Sequence, residues 1–195
     1  FNPYRFGVIG SSDSHNASSS VEESKHHGKL PLMDGTAGLR LGKSIFVPGS
    51  LHRTKNWGAA GLAAVWAQEN TREAIFDSIR AKEVFGTSGP RIKPRFFGGW
   101  DFDATLCADP DLIAKAYNNG VAMGNDLPEK NGDAPIFIAS AISDPGTPQN
   151  PGNLLQRLQI VKGWHDDSGD HHQQVFDVAG DKNNGASVDL SSCAT

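Results

Sequence analysis

Two residues near the start of the sequence combine the side-chain types of a metal site. Asp13 and His15 stand two positions apart and follow the apolar residues Phe6, Val8 and Ile9. In an extended chain, residues two apart point to the same side, so the carboxylate and the imidazole can converge on one ion. Carboxylate oxygen with imidazole nitrogen suits zinc, manganese or iron. The alternative interpretation is a turn capped by Asp13, with an ordinary surface histidine at position 15.

A strand is the element that must position this pair. The apolar run at residues 6–9 stops at Gly10, and a polar cluster follows at once, which predicts a strand that ends just before Asp13. In α/β barrels the chemistry lies at the carboxyl ends of the strands. Residues 16–60 are rich in Gly, Ser and Pro, and a long irregular loop in a compact domain is usually functional or disordered.

The segment Gly10-Ser-Ser-Asp-Ser-His15 resembles the last metal-binding motif of the PHP (polymerase and histidinol phosphatase) metallohydrolase superfamily, a strand that ends in Ser-Asp-x-His. Longer segments carry a more specific pattern, including Thr87-Ser-Gly-Pro-Arg-Ile92 and residues 6–17, 21–23, 61–75, 95–100 and 158–164. Together they resemble a bacterial PHP-like family, domain-of-unknown-function family 3604. The resemblance runs over nearly the whole chain, but that family has no settled substrate.

The resemblance implies a metal-dependent hydrolase. A cluster of divalent transition metal ions (zinc, manganese or iron, in a number that the sequence does not give) would activate water in such an enzyme. Asp13 and His15 are the implied ligands, and a small-molecule ester is the implied substrate, a phosphoester by analogy with the superfamily. Amide or carbamate hydrolysis is the rival chemistry, because PHP-like relatives include such enzymes. A non-catalytic, β-rich binding or structural module is the third interpretation.

A PHP-type site also needs ligands that this sequence does not show. Its first ligands come from an N-terminal His-x-His, which does not occur among these 195 residues. We therefore expect the chain to be a C-terminal fragment of a larger enzyme. Its expected partner is the missing N-terminal half of the same protein, and the metal site is then only partly supplied by these residues.

Five further residues are candidates for substrate binding or for support of the metal ligands: His26, His27, Glu69, Ser88 and Arg91. The two histidines belong either to a rim over the metal or to a solvated loop. Glu69 either reaches the site or is an exposed loop carboxylate. The turn at Ser88 can hold an anionic oxygen through its hydroxyl and backbone N–H groups. Arg91 either binds a phosphate or carboxylate bidentately or forms a structural ion pair.

The predicted fold class is α/β plus β. Residues 1–94 are predicted to form the C-terminal part of a distorted PHP-like (β/α) barrel, with a helix at residues 71–83. Asn70 is the predicted N-cap of this helix, and Glu73 completes a capping-box variant. Small residues at positions 58–66 predict a buried segment in close backbone contact, and residues 84–92 predict a last barrel strand.

Residues 95–195 are predicted to form a β-sandwich-like region that is incomplete at residue 195. Strands are expected at residues 95–100, 135–142, 155–163, 174–178 and 187–190, with one short helix at residues 109–117. The densest His/Asp cluster lies between two of these strands and is interpreted as a hairpin loop, with a surface metal site as the alternative. Its members are His165, Asp166, Asp167, Asp170, His171 and His172.

Composition restricts the class of protein. The formal net charge is −4, so the composition does not indicate the basic surface of a nucleic-acid-binding protein. The hydrophobic fraction is 37%. No apolar run approaches the length of a membrane span. Cys107 and Cys193 form either one disulfide or two unpaired thiols. No signal peptide is visible within these residues; the location of the protein stays open, with the bacterial periplasm or secretion favoured over the cytoplasm.

Overall fold

The structure, a computed structural model, describes residues 5–15, 36–40, 43, 61–130, 134–181, 183–185, 187, 189 and 191. The candidates His26 and His27 lie outside these residues, as does Cys193. Contacts divide the chain into two compact units: Phe1–Arg91 with Gly146–Pro151 and Val188–Thr195, and Ile92–Pro145 with Gly152–Ser187. The assignment of residues 1–94 to a barrel and of residues 95–195 to a sandwich stays a prediction.

The described residues of the first unit form two short helices and a two-stranded antiparallel sheet. Helix α1 spans Ala37–Arg40. Strand β1 (Leu62–Val65) pairs with β2 (Val84–Thr87), so that Leu62 lies opposite Thr87. Helix α2 (Arg72–Arg80) connects the two strands and contacts β1. It is the longest helix among the described residues, as the sequence predicts.

Thr71, and not the predicted Asn70, is the N-cap of α2. Its backbone is extended (φ −116°, ψ 157°), and its Oγ1 accepts a hydrogen bond from Ala74 N at 3.3 Å. The same hydroxyl donates to Glu69 Oε1 at 3.1 Å. Because the hydroxyl hydrogen of Thr71 points to Glu69, a lone pair of Oγ1 faces Ala74 N. The N-cap is therefore one residue later than the predicted Asn70. The helix ends at Arg80, and Lys82 takes a left-handed conformation (φ 62°) that stops it.

The apolar run at residues 6–9 is not a strand, contrary to the prediction. None of residues 5–15 is in a strand, and the side chains of Phe6, Val8 and Ile9 are 60%, 63% and 59% exposed. A Cβ added at Gly10 would stand 2.6 Å from the carbonyl oxygen of Leu62 and 2.7 Å from that of Thr87. A Cβ at Gly7 would lie 2.6 Å from Val84 Cγ2, and one at Gly86 would lie 2.3 Å from Gly10 N, so the run lies along β2 without the regular hydrogen bonds of a strand.

The second unit is built around a three-stranded antiparallel sheet in the order β4-β3-β5. These strands are Lys93–Gly99 (β3), Gly120–Ala122 (β4) and Ile136–Ile142 (β5). A 3-10 turn (Leu106–Ala108) and helix α3 (Leu112–Asn119) lie between β3 and β4. Helix α3 lies two to three residues later than predicted. The buried apolar side chains form one core: Phe97, Phe102, Leu106, Ala116, Ala122 and Ile138.

A long hairpin completes the second unit. Strand β6 (Arg157–His165) pairs antiparallel with β7 (His171–Gly180), with an irregularity between Leu158 and Gln159. The predicted hairpin is thus confirmed, but only Asp166, Asp167 and Asp170 of the His/Asp cluster lie in its loop; the prediction is wrong for His165, His171 and His172, which belong to the paired strands. The predicted strand at residues 187–190 is wrong where it is described: Ser187 and Asp189 have no regular structure. The Asp189 carboxylate accepts hydrogen bonds from the backbone and the hydroxyl of Ser191, a local turn that competes with strand pairing.

Two further features expected from the sequence concern membrane spans and cysteine pairing. No helix in them is long and apolar enough to cross a membrane. Cys107 is exposed and carries a free thiol, so the structure has the unpaired alternative at this residue.

Candidate metal centre

Close backbone contacts at Gly61 and Gly86 hold the loop that carries Asp13 and His15. Gly61 N donates a hydrogen bond to Ser11 O at 2.9 Å, and a Cβ at Gly61 would lie 2.8 Å from both the nitrogen and the oxygen of Ser11. A Cβ at Gly86 would collide with the backbone of Ile9 and Gly10. The close backbone approach predicted from the small residues at 58–66 is therefore present at Gly61. These contacts fix the position of the Asp13 loop beside the start of β1 and the end of β2.

Asp13 has a left-handed backbone conformation, with φ at 55°. Residues other than glycine rarely take this conformation, although aspartate tolerates it better than most. Ser11 and Ser12 turn the chain around it: Asp13 N donates to Ser11 Oγ at 3.4 Å, and Ser14 N donates to Ser12 Oγ at 3.3 Å. The loop is therefore a sharp turn. The predicted reason for the convergence of Asp13 and His15, an extended chain, is wrong.

The side chains of Asp13 and His15 nevertheless lie close together, through His15 Nδ1. His15 Nδ1 lies 4.0 Å from Asp13 Oδ1 and 2.7 Å from Asp13 O. A carbonyl oxygen can only accept a hydrogen bond, so Nδ1 carries the proton and the neutral ring keeps its lone pair on Nε2. Histidines that bind metals usually donate their second nitrogen to a carbonyl or carboxylate in this way. The side chains of both residues are more than half exposed.

The chemistry of this pair fits a divalent transition metal only in part. One carboxylate and one imidazole are acceptable ligands for zinc, manganese or iron, but a catalytic zinc site normally takes about three protein ligands. Within the described ranges, no group of three or more His, Cys, Asp or Glu side chains could hold a metal ion. Asp13 and His15 alone do not make a complete ligand set.

Ser88 and Arg91 lie in the turn after β2. Ser88 follows Thr87, whose carbonyl oxygen lies beside Gly10. The turn after β2 and the Asp13 loop therefore begin next to each other. Thr87 Oγ1 accepts a hydrogen bond from Gly89 N at 3.2 Å, so this N–H is used within the turn. Ser88 and Arg91 are exposed.

Glu69 is occupied at the start of α2. Its Oε1 accepts the hydrogen bond from the N-cap Thr71 at 3.1 Å, and the residue is exposed. This contact gives Glu69 a structural role that sequence reasoning missed. The signal was the threonine two residues later, because a hydroxyl at an N-cap can both donate and accept.

The hairpin cluster holds its imidazoles in pairs. His172 Nε2 lies 2.7 Å from Asp166 Oδ2, and Asp166 Oδ1 also accepts hydrogen bonds from the backbone of Ser168 and Asp170. These bonds, the one with His172 foremost, hold the pKa of Asp166 below its usual value of 3.8. His165 and His171 lie opposite each other on the two strands, and their ring centroids are 4.3 Å apart. The Asp166 carboxylate therefore closes the hairpin turn.

Comparison with known proteins gives one match. No curated protein and no solved structure matches this sequence. A family model described as Protein of unknown function (DUF3604) matches residues 1–194, which is nearly the whole chain. The sequence resemblance to domain-of-unknown-function family 3604 is thereby confirmed. The chain belongs to the DUF3604 family.

Proposed function

We propose that this chain is part of a metal-dependent hydrolase of the PHP type that cleaves phosphoesters. The observation that supports the proposal is the turn that brings the Asp13 carboxylate to 4.0 Å from the His15 ring while His15 Nδ1 is held by the Asp13 carbonyl. His15 Nε2 is thereby left for an ion, as in histidines that bind metals, whose other ring nitrogen is usually held by a carbonyl or a carboxylate.

The residues have distinct roles in this proposal. Asp13 supplies a carboxylate oxygen, and His15 supplies Nε2. The Asp13 carbonyl fixes the ring and its tautomer, so the lone pair is oriented before an ion binds. A bound divalent ion would supply a water of lowered pKa and charge stabilisation for a phosphoryl group. The turn at Ser88 and the Arg91 guanidinium supply donors for the phosphate oxygens.

The ligand set must be completed by other residues. An upstream half of the same protein is their proposed source, and His26 and His27 keep the proposed role of a rim over the metal near the substrate. This division of the site predicts that residues 1–195 alone bind metal weakly and do not turn over substrate, whereas co-expression with an upstream half restores both properties.

The test is hydrolysis by the whole protein with added manganese or zinc. A phosphodiester and a phosphomonoester, each bearing a p-nitrophenol leaving group, are assayed beside a p-nitroanilide amide. We expect phosphoester turnover that Asp13→Ala and His15→Ala abolish and that His171→Ala leaves unchanged. Turnover of the amide alone would favour the amide or carbamate chemistry. A folded, metal-free and inactive whole protein would favour the non-catalytic β-rich module.

A further inference from the structure

The second unit contains a cavity of about 590 Å³. Pocket volumes for small organic ligands range over about 300–1,000 Å³, so the cavity is large enough for one. It lies between the 3-10 turn and α3 on one side, and β5 and the base of the β6–β7 hairpin on the other. All of its lining residues belong to the second unit. It is thus remote in sequence from the Asp13 loop and independent of the proposed hydrolase function.

Most of the cavity wall is apolar. Its large apolar side chains are Leu112, Ile113, Ile138, Leu155 and Leu158. Leu112 and Ile113 also pack against the core, and Ile138 belongs to it, so the wall on this side is continuous with the packed interior. Such a wall binds the hydrocarbon part of a ligand by removing its apolar surface from water.

Among the charged side chains of the wall, the Arg157 guanidinium has no neutralising carboxylate among the described residues. The Asp109 carboxylate accepts hydrogen bonds from the Asp111 backbone and from Lys115 Nζ, and Lys115 holds the pKa of Asp109 below its usual value. The Arg157 guanidinium makes no hydrogen bond or ion pair with any residue that the structure describes, and neither does the Ser140 hydroxyl. Asp109 and Lys115 neutralise each other, so the net charge at the cavity is that of Arg157.

We propose that this cavity binds an organic monocarboxylate with an apolar body, such as a medium-chain fatty acid. The hydrocarbon part occupies the apolar wall, and the carboxylate accepts hydrogen bonds from Arg157, which is exposed at the mouth, and from Ser140. A guanidinium presents paired N–H donors that match the two oxygens of a carboxylate. A cation of the same size would meet Arg157 with repulsion.

The first test compares decanoate with 1-decanol, which have the same chain length and differ in charge. Titration calorimetry on the whole protein should show decanoate binding more tightly by about tenfold, the contribution of one charge-assisted hydrogen-bonded contact. Arg157→Gln should remove this difference and leave the decanol affinity unchanged. Lys162→Gln is the matched control, because Lys162 is an exposed cation on the same strand and does not line the cavity. Equal affinities for the two compounds, or an unchanged preference in Arg157→Gln, would overturn the assignment of the charge.

The second test locates the ligand and does not depend on the folding of the Arg157 variant. Cys107 lines the cavity and has a free, exposed thiol. In a Cys193→Ser background, Cys107 is the one cysteine of the chain, and its alkylation rate by iodoacetamide can be followed by mass spectrometry. Saturating decanoate should slow this reaction several-fold. An unchanged rate with decanoate bound would show that the ligand lies elsewhere and would overturn the proposed site.

Discussion

Replacing Asp13 by glycine should separate the two properties of this residue, its left-handed backbone and its carboxylate. A left-handed conformation costs a non-glycine residue about 1–2 kcal/mol, and glycine costs about 0.5–1 kcal/mol in additional chain entropy. The exposed contact between Asp13 and His15, at 4.0 Å, contributes at most about 1 kcal/mol. Since aspartate tolerates this conformation well, Asp13→Gly should change the free energy of unfolding of the metal-free protein by less than about 1 kcal/mol, while metal binding is lost.

Lys82 provides the matched control, because its φ of 62° is the other positive value among the described non-glycine residues. Lysine has no special tolerance for this conformation, so Lys82→Gly should stabilise the protein by about 0.5–1 kcal/mol. This corresponds to a rise in Tm of about 1–4 °C for a chain of this size, and metal binding should not change. Both variants are measured by urea and thermal unfolding with chelator present. Destabilisation of Asp13→Gly by several kcal/mol without metal would refute the reasoning, since it would mean that the carboxylate holds the fold.

Three further predictions concern packing, capping and pH. Gly86→Ala places a Cβ against the backbone of Gly10, so calorimetry should show weaker metal binding; unchanged affinity would show that this contact does not position the loop. Thr71→Ala removes the N-cap of α2 and should lower the free energy of unfolding by about 1 kcal/mol; no change in urea unfolding would contradict the assigned cap. The bond with His172 lowers the pKa of Asp166 below 3.8, so this carboxylate stabilises the folded state above that pH and loses the effect as the pH falls through its lowered pKa. The stability gap between the parent and Asp166→Asn should therefore close on acidification, and a gap that widens in acid would contradict the sign.

The sequence predicts β3, β5 and the β6–β7 hairpin because their signals are local, but it misses the short strand β4. The alternation of apolar residues at positions 136–142 and 158–163 matches β5 and β6, and the turn residues between β6 and β7 match the observed hairpin. Helix α2 is also predicted, with one apolar face formed by Ala74, Ile75, Ser78 and Ile79; the first three are half-buried, but Ile79 is 53% exposed. Its cap was misplaced by one residue because the deciding contact, between Thr71 and Glu69, depends on side-chain geometry that the residue types alone do not give.

The candidate site was predicted in its residues but not in its geometry. The side chains of Asp13 and His15 lie close together, but through a left-handed turn and not through an extended strand. Periodicity cannot show this, because the run at residues 6–9 has the composition of a strand. Its backbone is placed by contacts of Gly7 with Val84 and of Gly10 with Leu62 and Thr87, which are far from it in sequence. Non-local contacts of this kind have no signature in a short window.

The central claim, that Asp13 and His15 hold a metal ion, is tested most directly by elemental analysis of the purified whole protein. Bound zinc, manganese and iron are measured in the parent and in His15→Ala, with His165→Ala and His171→Ala as controls from the hairpin. We predict that His15→Ala loses bound metal and that both hairpin variants retain the content of the parent. Equal metal content in His15→Ala and the parent would contradict the assignment.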